Sequence, residues 1–315
     1  MIRRESHQTG LADAFVCPAK ANPTLDRINH LVNWEPLRQK MESLYSLSGP
    51  GRPGFPAVML FKAVLLQNWY RLSDEATEDA IDDRRSFRHF LELNLDEKAP
   101  DHSTIHRFRD RIASIMAELF QMINAQLASH KLIVKQGTIV DATLVESSSR
   151  QPKPGYSSPR DPDATWAKKG DKCYFGYKAH IGVDQGSELI RQADLTPANI
   201  HDNKRFEAMV SGDEKTVYAD KGYSGADRSQ WLTVRGIQDG IMFQGSKWRQ
   251  LTPEELKRNS ALTRVRSAVE HIFGTWKRIY QYRRCRYGGL WRNWSHLFAL
   301  CICYNLRRAV RLQEG

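Results

Sequence analysis

Three acidic residues stand where their charge calls for a reason. Asp141 interrupts the apolar, β-branched run Thr138-Ile139-Val140-Asp141-Ala142-Thr143-Leu144-Val145, which has the composition of a strand. An unpaired carboxylate buried there is costly, so Asp141 either sits at a strand end facing something positive or lies on the surface of an edge strand. Asp220 ends the short run Val217-Tyr218-Ala219 and precedes the glycine-punctuated segment Lys221-Gly222-Tyr223-Ser224-Gly225. Ligand-handling groups collect at the carboxyl ends of strands in α/β folds; the alternative for Asp220 is a helix cap. Glu270 lies within the helix-forming run Arg264–Arg278. At about 100° per residue, Arg266 lies about 40° from Glu270 and Lys277 about 20° away on its other side. The three form one stripe, which taken alone reads as a solvated ion-pair face.

Together, two strand-end aspartates and a helical glutamate suit phosphodiester chemistry. Two divalent ions roughly 4 Å apart can activate water and steady the leaving oxygen. Mg²⁺, with Mn²⁺ as a substitute, takes carboxylate oxygens and water rather than thiols. Asp141, Asp220 and Glu270 are therefore the candidate catalytic and metal-binding residues, with two ions per site. Arg266 and Lys277 are placed to hold a DNA backbone beside them.

Bulk properties agree with a nucleic-acid partner. The 315-residue chain carries a formal net charge of +11, which favours a polyanion. Its 41% hydrophobic and 26% charged residues are those of a globular protein. No run approaches the roughly 18 apolar residues of a spanning helix. The segment Met1–Gly10, with Arg3, Arg4, Glu5 and His7, lacks the apolar stretch of a secretory signal. A cytoplasmic location without a membrane partner is expected. The five cysteines (Cys17, Cys173, Cys285, Cys301 and Cys303) form no CxxC pair, which argues against structural zinc or disulfides. Cys301 and Cys303 lie in an apolar run, as core residues do.

Two regions must position these groups. Residues 1–130 read as an all-α N-terminal domain for DNA binding or assembly. One apolar helix follows Pro56, a second is capped by Ser73, and a third starts after Asp101 or Ser103. In this third helix Ile105, Phe108, Ile112, Ile115 and Leu119 share a face. Arg107, Arg109, Asp110 and Arg111 lie opposite. Arg107 and Arg111 are the candidate groove contacts, in a region that is at most similar to a helix-turn-helix. Residues 131–315 alternate strand and helix. A hairpin is expected over Tyr177–Val183 and Glu188–Leu195, a short helix over Asn203–Val210, and a strand over Ile237–Phe243. Further on come a helical turn at Pro253, a long helix from about Ser260 to Tyr280 and a last one over Trp291–Leu312. The segment at about 147–172, rich in proline, serine and cations, reads as a basic loop. Its Lys168 and Lys169 are candidate phosphate contacts, with Trp166 and Tyr174 able to stack on a base. Arg283, Arg284, Arg286 and Arg292 add a basic patch.

Several blocks resemble those of the IS5 group of insertion-sequence DDE transposases. They are Ile139-Val140-Asp141-Ala142-Thr143, Lys168-Lys169-Gly170, Phe175–Asp184, Thr196–Asp202, Ala219-Asp220-Lys221-Gly222-Tyr223 and the helix from Arg266 to Lys277. Asn68–Asp74 and Pro100–Arg109 match in the helical region, so the resemblance runs from about residue 25 to 310. It implies a ribonuclease H-like catalytic domain of mixed sheet and helices, with Asp141, Asp220 and Glu270 as the acid triad. The family's signature often has Tyr seven positions before the Glu; here Thr263 stands there. The resemblance also singles out Asn199, His201 and Asp202, with Asp202 either orienting the site or capping the following helix. It implies cleavage of transposon ends, joining to target DNA, and a homo-oligomer on double-stranded DNA. The alternatives are a DNA-binding relative without activity and a nuclease of similar fold that cuts without joining.

Overall fold

The structure, a computed structural model, describes residues 22–45, 54–94, 96–153, 155–246 and 248–314. Cys17 and the Met1–Gly10 segment lie outside the described residues. The described residues fall into two compact units: those up to Gln126 with Ala309 onward, and Leu127–Arg308.

The first unit is helical. It contains α1 (Pro23–Leu31), α2 (Trp34–Glu42), α3 (Ala57–Tyr70), α4 (Asp74–Asp83), α5 (Arg85–Leu91) and α6 (His102–Ile112), followed by α7 (Met116–Ser129). α3 follows Pro56 and is buried from Ala57 to Trp69. Ser73 caps α4 by accepting from the Ala76 amide, and Asp101 caps α6 by accepting from that of Thr104. These bonds satisfy amides that have no partner within the helix. Ile105, Phe108 and Ile112 of α6 are buried as their spacing predicts. Arg109 departs from the expected outer face. Its guanidinium bonds Asp74 at 2.6 Å and Gln67 at 2.9 Å, because four residues after Ile105 it still flanks the buried stripe.

The second unit is built on a six-stranded mixed sheet. Its strands are β1 (Gly137–Glu146), β2 (Thr165–Lys169), β3 (Lys172–Asp184), β4 (Ile190–Pro197), β5 (Thr216–Ala219) and β6 (Gln238–Ile241). β1 pairs antiparallel with β3, and β3 with β4, while β1, β5 and β6 run parallel. With helices against this sheet, the unit has the ribonuclease H-like fold.

Three helices follow: α8 (Ala226–Val234), α9 (Pro253–Arg278) and α10 (Leu290–Glu314). The turn expected at Pro253 and the helix expected from Ser260 are one continuous helix. Its start is a capping box, in which Thr252 and Glu255 each bond the other's backbone amide. Val269, Ile272, Phe273 and Trp276 form its buried stripe, and α9 packs against β1 and β5. Cys301 and Cys303 are buried thiols in α10.

The basic loop is shorter than its composition suggests. Thr165–Lys169 pairs with Lys172–Gly176 as a hairpin that turns at Gly170-Asp171, with Gly170 at φ +60°. Glycine takes that conformation without strain. The preceding segment is anchored by buried Asp161, which accepts from Ser147 Oγ, Tyr177 Oη and the Gly289 amide. The helix expected over Asn203–Val210 is two 3-10 turns, Asp202–Arg205 and Glu207–Met209.

Candidate active site

Parallel pairing of β1 and β5 aligns Val140 with Ala219 as its last step. Asp141 and Asp220 are the next residue on each strand, so the register itself sets the two acids side by side. Asp141 lies within β1 rather than at its end, at the point where the β5 pairing stops. Its Oδ1 accepts from the Ala142 amide at 2.8 Å. Asp220 caps the 3-10 turn Lys221–Tyr223, accepting from the Lys221 amide at 2.6 Å. The capping role weighed for Asp220 thus coexists with its place beside Asp141.

Both acids face one cation. From α9, Arg266 Nη2 reaches Asp141 Oδ2 at 3.0 Å, and Nη1 lies 3.6 Å from Asp220 Oδ1. Arg266 Nε is buried and makes no hydrogen bond. Burial pushes the Asp141 carboxyl above the usual range; Arg266 opposes this and Asp220 adds to it. Glu270 lies one helical turn beyond Arg266, exposed and outside this contact. Among the described residues no group of three or more His, Cys, Asp or Glu side chains is placed to hold a metal ion.

A second polar group lies behind the first. Asp202 pairs with Lys178 Nζ at 2.7 Å, and Lys178 also donates to the Ile200 carbonyl at 2.8 Å. His180 is buried against Thr196 Oγ1 at 2.9 Å, and burial lowers its pKa to about 4. Tyr223 is buried with Phe206 at a ring distance of 5.8 Å, and its hydroxyl has no hydrogen-bond partner. Burial and the acids Asp202, Asp141 and Asp220 raise its pKa, with Arg266 opposing. Asn199 and His201 are exposed. Asn199 bonds Thr165 Oγ1 at 3.1 Å, and His201 rather than Asp202 caps the 3-10 turn.

The family model for the transposase DDE domain matches residues 133–306, more than half of the chain. The chain belongs to the DDE transposase family. A second model, the transposase domain DUF772, matches residues 16–111. Among solved structures, the chain is similar to the cryo-EM structure of a piggyBac transposase synaptic complex with hairpin DNA. The TM-score is 0.44 at 10% identity, over 92% of this chain and 74% of that one. The protein is a DNA transposase, an enzyme of a domain family that generally depends on divalent metal.

Asp141 and Asp220 present hard oxygen donors around a shared positive charge, the donor chemistry that Mg²⁺ or Mn²⁺ takes. In the transposase the guanidinium of Arg266 holds that position. Lys277, on the same helix, is half-buried; its pKa is lowered by burial and by its cationic neighbours Lys169 and Arg283. Lys168 and Lys169 are exposed at the β2–β3 turn. In the first unit Arg107 is exposed on α6, and the guanidinium of Arg111 lies 4.3 Å from the Tyr45 ring centroid. Among the described residues, no helix is long and apolar enough to cross a membrane.

Sequence reasoning passed over Tyr223, although it ends the Ala-Asp-Lys-Gly-Tyr block that marked Asp220. Helical spacing reads Arg266 as an ion-pair face or a DNA contact; its side chain faces the two aspartates.

Proposed function

We propose that this transposase, of the IS5 group, cleaves the ends of its element and joins them to target DNA by in-line displacement at phosphorus. In the first step a water oxygen bonds to phosphorus and the P–O3′ bond breaks, freeing a 3′-hydroxyl. In the second that hydroxyl attacks a phosphodiester of the target, displacing its 3′ oxygen. Both steps need the same arrangement of acids, so one site serves both.

The observation that carries this reading is the convergence of Asp141 and Asp220 on one cation from α9, with Glu270 a turn further along the same helix. Asp141, Asp220 and Glu270 would hold two Mg²⁺ ions, or Mn²⁺ in their place. When bound, such ions lower the pKa of water and stabilise the charge on the leaving oxygen. Arg266 and Lys277 steady the scissile backbone, while Lys168 and Lys169 grip phosphates further out. Asn199, His201 and Asp202 orient the site from behind. Residues 1–130 act in DNA binding and assembly, through Arg107 and Arg111 of α6, and residues 131–315 carry the chemistry. The partners are double-stranded terminal inverted repeats and target DNA. Two ends must be handled together, so the working form is a homo-oligomer on DNA.

The test is a gel that resolves cleaved from joined products, using an oligonucleotide of the element's end. Asp141→Asn, Asp220→Asn and Glu270→Gln should each abolish both products while leaving DNA binding intact. Full Mg²⁺-dependent activity in any one of them removes that residue from the triad. Nicks without joined DNA in the wild type would make the protein a nuclease. Binding without either product would make it a silent relative.

A further inference from the structure

Asp141 and Asp220 stand side by side where the pairing of β1 with β5 stops, and one side chain supplies the charge between them. Arg266 Nη2 donates to Asp141 Oδ2 at 3.0 Å, while Nη1 lies 3.6 Å from Asp220 Oδ1, beyond hydrogen-bond range. Nη1 instead approaches the Met242 thioether at 3.4 Å, a weak acceptor. Nε is buried and has no hydrogen-bond partner among the described residues. A guanidinium carries five N–H donors in a planar fork that suits a carboxylate or a phosphate two bonds at a time. Here it makes one charge-assisted bond, in a side chain only 14% exposed. The pose gives charge to the acids and leaves most of the donors under-used. A buried donor without an acceptor is costly, so a partner offering two oxygens would draw the fork away.

We propose that Arg266 is a counter-ion shared between the acids and DNA: it balances Asp141 and Asp220 in the free protein, and a backbone phosphate takes it over when DNA docks, so that DNA and divalent metal each strengthen the binding of the other. This rests on the reading that Asp141 and Asp220 hold divalent metal. Charge balance favours the exchange. Two carboxylates beside one guanidinium leave a single negative charge. A divalent ion balances both carboxylates by itself, and with Arg266 still in place the site would hold a surplus cation with little access to water. A phosphodiester carries the one negative charge that Arg266 then lacks, and its two free oxygens accept the fork. The contact is open to solvent on the Asp220 side, where the side chain is 44% exposed. No movement of α9 is needed, because a long side chain changes direction by stepping between rotamers. The same exchange keeps the acids from loading metal until DNA is present.

The test is a calorimetric titration of Mn²⁺ chloride into the full-length wild type, Arg266→Met and Asp141→Asn. Each is titrated alone and with a duplex of the element's end that is already cut, so that nothing remains to cleave. Without DNA, Arg266→Met should bind Mn²⁺ more tightly than the wild type by about tenfold or better, because no cation has to leave. The duplex should tighten Mn²⁺ binding to the wild type by about tenfold, a usual size for coupled sites. It should tighten binding less in Arg266→Met, which has no guanidinium to hand over. By linkage, Mn²⁺ should tighten duplex binding to the wild type by the same factor. If Arg266→Met does not fold, Arg266→Gln takes its place, since it keeps an N–H donor for Asp141 and drops the charge. DNA-free affinity in the neutral variant equal to or weaker than in the wild type, with Mn²⁺ binding lost in Asp141→Asn, overturns the inference and leaves the acid assignment standing. An equal gain from the duplex in wild type and neutral variant overturns it too. Undiminished Mn²⁺ binding by Asp141→Asn overturns the assignment, and the inference with it.

Discussion

Replacing Arg266 by Met removes the cation between the two aspartates while keeping a side chain of similar length. The Arg266 and Asp141 side chains are 14% and 22% exposed, and their nitrogen and oxygen lie 3.0 Å apart. Removing one partner of a buried pair costs about 3–5 kcal/mol. Here Asp220 is 44% exposed, so water already reaches part of the site, and a loss of about 2–3 kcal/mol is expected at neutral pH. For a domain the size of Leu127–Arg308, that corresponds to a melting temperature lower by about 4–12 °C. Protonation limits the loss. The Asp141 carboxyl is already raised by burial, with Arg266 opposing, and losing Arg266 raises it further. The folded variant then binds a proton more readily than the unfolded chain, and its stability falls as pH rises through that range. Arg266→Met should therefore lose less at pH 5 than at pH 8. Mn²⁺ should restore much of the loss at pH 8, because a divalent ion neutralises the same two acids, and should stabilise the wild type less. The assay is thermal melting at both pH values, in EDTA and in Mn²⁺. An equal loss with and without Mn²⁺, or no loss at all, refutes the reasoning.

Three further outcomes follow from the same contacts. Arg109→Ala, which breaks the bonds to Asp74 and Gln67, should destabilise the helical unit by about 2–3 kcal/mol in urea melts; a neutral effect would return Arg109 to the exposed face. His180 resists protonation down to about 4, against an ordinary value of 6.5. The unfolded chain therefore binds the proton first, and stability falls with pH through that window, by about 2 kcal/mol at pH 5. Denaturant midpoints at pH 7 and 5 check this, and His180→Asn should flatten the difference. Gly182→Ala would drive its Cβ into the Met209 carbonyl oxygen; a destabilisation of about 1–3 kcal/mol or more is expected, and a wild-type melt would contradict that packing.

The parts of the fold that were legible in the sequence are those that local chemistry decides. Ser73 and Asp101 announce helix starts because a capping oxygen must precede the first turn. The run around Asp141 reads as a strand because β-branched residues and alternation are local properties. The adjacency of Asp141 and Asp220 was not legible as geometry: it comes from parallel pairing, which joins strands separated by a long crossover and leaves no local mark. Nor was the direction of Arg266. Helical spacing places it on one stripe with Glu270 and Lys277, but only the packing of α9 on β1 and β5 turns its guanidinium toward the aspartates. Composition misled over about 147–172, where prolines, serines and lysines read as loop throughout; pairing to the long β3 supplies the order that Thr165–Lys169 lacks by itself. The burial of Tyr223 was not legible either, since the sequence shows its ring and conceals what surrounds the hydroxyl.

The most direct test is anomalous diffraction from Mn²⁺ in crystals of the transposase with DNA of its element's end. Manganese peaks touching Asp141 and Asp220, with Glu270 drawn in and Arg266 moved off the aspartates onto a phosphate, are the expected result. Manganese bound elsewhere, or an intact Asp141–Arg266–Asp220 contact at saturating Mn²⁺, would contradict the account.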